Sequence, residues 1–304
     1  MEKLLYALAG TLEQGLLYAL MALGVYLTFR VLNYADLTVD GSFTTGGAIA
    51  ASIIFAGGSP WLATAAAVIG GLLAGLITGL LHTAFRITPL LSGILTMTAL
   101  YSINLRILGR ANVPLLRADT VISRFNSWLP LDNIYGASLL GLIIVLLAVI
   151  GLYIFLKTEI GLALQATGDN EQMIRAQGVN TNHMKLLGLA LSNGLVAISG
   201  ALVAQNQQFA DAGMGIGMIV AGLASVIIGE ALFGKRTLLQ HIIAVVCGSI
   251  VYRAVLALVL RLGLAPTDFK LLTALIVVIA LASPQVRTWL GLTKNSRKRG
   301  SFDA

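Results

Sequence analysis

The chain has 304 residues, of which 57% are hydrophobic and only 11% charged, and its mean hydropathy is +0.89. That little charge cannot cover the surface of a water-soluble globule, which excludes a soluble enzyme or carrier. The formal net charge of +7 fits the excess of basic residues on the cytoplasmic face of a membrane protein, and no aromatic-interleaved basic patch points to nucleic acid.

Apolar runs of about 17 to 25 residues recur along the chain, each able to span a bilayer. The expected fold is all-α, a polytopic transmembrane helical bundle of about nine spans (eight to ten) forming a single membrane domain over 1–304. Residues 11–29 make the first span, with Glu13 at its front, and no small-residue cleavage site follows a short basic leader, so a retained helix is expected. The stretch 30–42 carries Asn33, Asp36 and Asp40 without a helical apolar face, and a second apolar run follows to about Ala56. Gly57, Gly58 and Pro60 then predict a tight turn before a third span at 61–81, where Gly71, Gly75 and Gly79 allow a neighbouring helix to come close. A short loop with Arg86 leads to the fourth span, 90–108, which carries Asn104 and Arg106 near its end. Residues 109–135 form a long hydrophilic connection, read as a loop or short helix at the outer interface, and 136–156 spans again. Further spans are expected at 186–205, 214–233, 238–260 and 270–281, followed by a basic tail over 285–304. Placing that tail in the cytoplasm puts the N-terminus outside and gathers most basic loop residues inside. The stretches 30–42 and 214–230 are the ones expected to be broken or re-entrant.

Chemistry is sparse. No P-loop or Ser/His/acid arrangement occurs, the single Cys247 permits no internal disulfide, and His82, His183 and His241 lack metal-ligand spacing. No catalytic residue and no metal or other cofactor is expected in this chain. Gly213 to Met218, GMGIGM, lacks the Gly-Lys-Ser/Thr of a phosphate loop and reads as the opening of a short or broken helix beside a pathway. Intramembrane polar residues are mostly neutral, including Ser192, Asn193 and Ser225, with Glu230 and Arg253 as charged exceptions. An ion-coupled secondary transporter is the alternative reading of such a bundle, but it calls for paired acids at the midplane, and none are evident.

The polar interruption at 157–185 stands apart. Asp169 followed by Gln172 is a capping-box pattern, 170–177 is rich in helix formers, and Gly178 sits where a left-handed stop belongs. A helix of two turns is marginal alone in water. On the basic side of a membrane protein it reads either as a peg for a soluble partner or as a loop helix resting on its own bundle.

Three stretches in order carry a family resemblance. In the loop, Gly161, Ala163, Leu164, Ala166, Asp169, Asn170, Arg175, Gly178 and Asn180 follow G-x-A-L-x-A-x-x-D-N-x-x-x-x-R-x-x-G-[VI]-N. Residues 24–43, GVYLTFRVLNYADLTVDGSF, and 222–234, GLASVIIGEALFG, are the other two. Together they resemble the membrane permeases of branched-chain amino acid type ABC importers, most nearly the aromatic amino acid (tryptophan or tyrosine) uptake subgroup. The resemblance implies a bacterial inner-membrane, multi-pass permease, working as a homodimer, with two cytoplasmic ABC ATPase subunits that carry ATP and Mg and an extracytoplasmic substrate-binding protein. It makes 169–177 the coupling helix, with Gly161, Ala166, Thr167, Gly168, Asp169, Asn170, Glu171, Arg175 and Gly178 as coupling residues. The cargo implied is an amino acid, with sugars or nucleosides, carried by sister permeases, second. Candidate pathway residues are Asn33, Asp36, Asp40, Ser42, Phe43, Asn104, Asn193 and Gln205, the polar or bulky positions in or beside the segments expected to be broken; Asp36 and Asp40 are equally read as helix caps.

Overall fold

The computed structural model describes residues 2–116, 118–128, 133–234 and 236–261, together with 271, 273–275 and 278. The first helix, α1 (Glu2–Tyr26), runs on through a π-helical stretch, Leu27–Val31, and the chain then unwinds over 32–37. Next come α2 (Thr38–Phe55), α3 (Pro60–Thr83) and α4 (Pro89–Leu108), the last two opened by prolines whose fixed φ suits a first helical turn. A short strand β1 (Asn112–Pro114) precedes α5 (Val121–Trp128) and the long α6 (Asn133–Lys157). Two short helices follow, α7 (Glu159–Asp169) and α8 (Glu171–Ala176), and then α9 (Thr181–Gln207), β2 (Phe209–Asp211), α10 (Met218–Phe233) and α11 (Leu238–Arg261). β1 and β2 pair antiparallel, Val113 opposite Ala210, which ties the exits of α4 and α9 together at the end of the bundle away from α7 and α8.

Six helices among the described residues are long and apolar enough to cross a membrane: within α1 with its π stretch, α3, α4, α6, α9 and α11. The second and seventh expected spans are present as α2, 18 residues with seven Thr, Ser and Gly in its first ten, and α10, only 16 residues. The ninth, at 270–281, and the tail at 285–304 fall largely or wholly outside the described residues. α1 and α9 are mostly buried, whereas α3 and α6 turn side chains such as Leu62 and Leu147 outward, 69% and 64% exposed. Apolar faces on that scale suit a bilayer and not water; the chain is a multi-pass membrane protein.

Lipid is as apolar as leucine, so the helices need close packing and hydrogen bonds to associate. Both are present. The expected glycine stripe on α3 presses against α9: a Cβ at Gly71 would lie 2.3 Å from the Asn193 carbonyl oxygen and one at Gly75 2.2 Å from that of Leu189. α2 approaches α9 as closely, since a Cβ at Gly46 would sit 2.0 Å from the Ala197 carbonyl oxygen. Hydroxyls tie α9 and α11 to α1: Ser192 Oγ donates to the Gly24 carbonyl, Ser199 Oγ to that of Leu17 and Ser249 Oγ to that of Gly15, at 2.7, 2.7 and 2.9 Å. Gly46→Val is therefore expected to destabilise the bundle by about 1 to 3 kcal/mol through overpacking, lowering its melting temperature in detergent. Gly151→Ala, where a Cβ meets nothing within 4 Å, leaves that temperature unchanged or slightly raised.

Candidate functional site

Two places combine polar groups with irregular backbone: the α7 and α8 loop, and the point inside the bundle where α10 begins.

The loop is built from local caps. Thr158 Oγ1 accepts from the Gly161 amide and opens α7, and Asn170 Oδ1 accepts from the Met173 amide at 3.0 Å and opens α8. The cap is thus Asn170, one residue later than the Asp169 pattern predicts, because Asp169 is taken up as the last residue of α7. α8 is correspondingly shorter than 170–177, and α7 is an additional helix that the capping pattern did not announce. Gly178, with φ +89°, stops α8, and Asn180 Oδ1 caps α9 through the Asn182 and His183 amides. Gly161 and Gly168 face inward. A Cβ on them would lie 2.1 Å from the Phe155 carbonyl oxygen and 2.0 Å from that of Val31, so only glycine lets the loop lie this close to the bundle. Thr167 is buried, its hydroxyl turned to the Ala163 carbonyl, and Ala166 is half-buried. Outward stand Asp169, Asn170, Gln172, Met173 and Arg175, while Ile174 is the buried residue that seats α8.

Glu171 is the root of α8. Its Oε1 accepts from Arg175 Nη2 at 2.6 Å and from the Thr181 hydroxyl at 3.1 Å, and its Oε2 from Lys185 Nζ at 2.8 Å. Burial pushes this carboxyl up, but the hydrogen bond and charge of Lys185, the Thr181 hydroxyl and the Arg175 charge outweigh it and hold the group below its ordinary value.

Deeper in the bundle, the unwound stretch after α1 delivers Asp36, 2% exposed, to α9. Its Oδ1 accepts from the Thr38 amide at 2.9 Å, and its Oδ2 from Asn193 Nδ2 at 2.7 Å, while Asn193 Oδ1 accepts from Ser42 Oγ at 2.7 Å. Three of the predicted residues, Asp36, Ser42 and Asn193, are therefore one buried network. Asp40 is separate. Its Oδ2 accepts from the Gly217 amide and its Oδ1 from the Ile219 amide, both at 2.8 Å, so it caps α10 from α2, across 177 and 179 residues of chain. GMGIGM is the re-entrant approach to that helix. It comes down from β2, places the Gly215 amide 3.0 Å from Thr44 Oγ1, and turns at Gly217, φ +88°, into α10. Of the two stretches expected to be broken or re-entrant, 30–42 unwinds over 32–37, whereas in 214–230 only 214–217 is irregular and α10 is continuous from Met218.

The other candidates lie apart. Phe43 is fully buried and stacks on Tyr18, ring centres 5.8 Å apart. Asn104 Nδ2 donates to the Gly41 carbonyl at 3.3 Å, with its Oδ1 buried and unpartnered among the described residues. Gln205 holds the start of α5 to α3 through the Val121 amide and Thr64. Asn33, with φ +51°, is exposed on the unwound stretch. Glu230 pairs with Arg30, on the π stretch, and with His241 Nε2 at 2.8 Å. Sequence reasoning missed this pairing, and it missed Tyr18 and Thr44; nothing local to those residues marks partners so distant.

The low Glu171 carboxyl fixes a pH dependence. A carboxyl lowered by folding contributes stability fully present above its unfolded value and lost as pH falls through the folded one. Protection factors of the α8 amides are expected to stay level from about pH 7 to about pH 5 and to drop only below the ordinary carboxylate range. Glu171→Gln is expected to show the loosened pattern already at neutral pH; unchanged protection in that variant would contradict the assignment.

A family model described as the permease component of branched-chain amino acid transport systems matches residues 7–282. The chain is 42% identical over 287 residues to the tyrosine transport system permease protein of Clostridioides difficile (strain R20291), covering 94% of each. It is 29% identical over 289 residues to the galactofuranose transporter permease protein YtfT of Escherichia coli (strain K12), covering 92% of this chain and 80% of that one. Among solved structures it is similar in fold to a chain of PsaBC from Streptococcus pneumoniae in complex with Fab, with a TM-score of 0.54 at 18% identity over 97% of this chain and 96% of that one.

Proposed function

We propose, from the premise that this chain belongs to the family of branched-chain amino acid transport permease components and so is the membrane subunit of an ABC transporter, that it imports an amino acid by alternating access coupled through α8. The observation that carries the coupling is the geometry of α8. It is a six-residue helix, capped by Asn170 and rooted on Glu171, that turns Asp169, Gln172 and Met173 to solvent. Rooted in this way it moves as one piece with the ends of α7 and α9, as a coupling helix in the groove of a soluble ATPase must. Hydrolysis of ATP with Mg on the separate ATPase subunits supplies the energy, and the chain itself has no catalytic step to perform.

In this reading two copies of the permease form the pathway in a bacterial inner membrane. The spans number about nine, with the N-terminus outside and the tail at 285–304 in the cytoplasm, and a binding protein docks at the β1 and β2 end. A cavity of about 510 Å³ at that end, lined by Gly57, Pro114, Asp119 and Arg124 among others, is where such a protein would hand over its cargo. The 42% likeness to a tyrosine permease supports an amino acid as cargo. The likeness to a galactofuranose permease makes a sugar the second reading.

Movement of α8 reaches the pathway along a short chain of contacts. Gly168 lies on the Val31 carbonyl, the neighbouring Arg30 grips Glu230 at the foot of α10, and the head of α10 rests on Asp40. A displacement at the loop thereby tilts α10 against α2, one element that both ends of the transporter can bias.

Co-purification of the permease with its ATPase subunits tests the coupling surface. Met173→Asp and Asp169→Lys lie on the outward face, away from the Glu171 root, and each is expected to reduce retained ATPase by about tenfold or more while the permease stays monodisperse. Undiminished ATPase recovery with both variants would overturn the assignment of α8.

A further inference from the structure

Arg253 of α11 is a half-buried cation that neither the coupling loop nor the Asp40 cap employs. Its guanidinium carbon lies 3.3 Å from the centre of the Tyr18 ring, so the cation stacks on the ring face. Stacking uses the face and leaves the in-plane N–H donors pointing elsewhere. Among the described residues its buried Nε meets no hydrogen-bond partner, and none of the ion pairs includes it. Tyr18 stands nine residues inside the Ala9 end of its span, about 14 Å at 1.5 Å per residue, so the guanidinium is drawn inward and not out to the interface. A guanidinium at such depth is costly unless it faces a polar cavity or a counter-charge.

The cavity is present. About 380 Å³ of space opens beside Arg253, bounded by Tyr18, Gly217 and Val220 at the head of α10, and by Tyr252 and Leu256 on α11. That volume falls in the range of small-molecule sites. Its wall is largely apolar, with two tyrosine rings, Thr273, whose hydroxyl lies 2.8 Å from that of Tyr252, and one cation. The adjoining carboxyl, Asp40, is occupied by the amides of Gly217 and Ile219. A polar group that fits must therefore be an anion, and its body must be apolar or aromatic.

We propose that this cavity is a station on the transport route that takes the carboxylate of an amino acid on Arg253 and the cargo's side chain against the Tyr18 and Tyr252 wall. The proposal rests on the amino-acid reading given above and sharpens it: the recognised group is the carboxylate. Because α10 forms one wall, a tilt of that helix opens or closes the station.

The test is uptake of radiolabelled L-tyrosine and L-leucine, with tyramine and ribose as probes lacking the carboxylate, by the full transporter in proteoliposomes. Arg253→Gln is expected to lower carboxylate uptake by on the order of tenfold, the effect of removing one charge-assisted bond in a dry site, with Arg253→Lys partly restoring it. Ile216→Glu, which adds a carboxylate to the cavity from an exposed position, is expected to compete with cargo and cut uptake, whereas Ile216→Gln does not. This second pair keeps the test valid should Arg253→Gln fold poorly. Amino acid uptake by wild type that is indifferent to Arg253→Gln and Ile216→Glu would overturn the station while leaving the function intact. Wild-type uptake of ribose or tyramine in place of amino acids would overturn both.

Discussion

A membrane offers no water to a bare peptide group, and the centre of this bundle depends on how that shortage is met at one point. α10 begins inside the protein, beside Tyr18 and α2, where the preceding turn offers the Gly215 carbonyl to the Met218 amide while the Gly217 and Ile219 amides turn to a side chain. Asp40 supplies the missing acceptors, one oxygen to Gly217 and one to Ile219. Without that carboxyl the re-entrant approach from β2 would carry orphaned donors at depth, each costing several kcal/mol, on the order of what a whole domain has in reserve. The Asp36, Asn193 and Ser42 network does the same for the unwound stretch after α1. Both irregular stretches are thus stabilised by acids of the single segment 30–42, which packs on α9, with α1 one of the two most buried of the six membrane-length helices.

This arrangement holds α10 at both of its ends. α10 is held at its head by Asp40 and at its foot by Arg30 and His241 through Glu230, and its flanks are packed against α11 by glycine contacts such as Gly229 on the Ala244 carbonyl. Polar attachments at two ends with small-residue packing between them allow a tilt without opening a void, because close backbone approach leaves few interdigitated side chains to unlock. The foot lies next to the stretch on which Gly168 of the docking loop rests.

What was legible in the sequence follows from the range of the interactions involved. The caps of the α7 and α8 loop could be read because caps are local: Asn170, Gly178 and Asn180 act within three or four residues, and the expected cap was displaced by one position because α7, which the pattern did not announce, runs on through Asp169. The two broken segments were legible because acids and glycines interrupt apolar runs where a plain span would not tolerate them. The Gly71, Gly75 and Gly79 stripe was readable as packing from its spacing, though the choice of α9 as partner was not. Asp40 reaching α10 and Arg30 reaching Glu230 were not legible, since a separation of some 200 residues leaves no periodic mark. Nor could Tyr18 be singled out from an apolar helix, as its significance comes from Arg253 lying over it. Counting spans by hydropathy took the run to Ala56 as an ordinary crossing, whereas α2 carries seven Thr, Ser and Gly in its first ten residues, and α10 is only 16 residues long.

The central claim is that this bundle transports by borrowing energy from a separate ATPase. The measurement that addresses it most directly is solute uptake into proteoliposomes holding the permease with and without its ATPase subunits and binding protein, with ATP and ion gradients varied independently. The account predicts uptake only when all components and ATP are present, and no change when proton and sodium gradients are collapsed. Uptake by this chain alone, driven by either gradient, would contradict it.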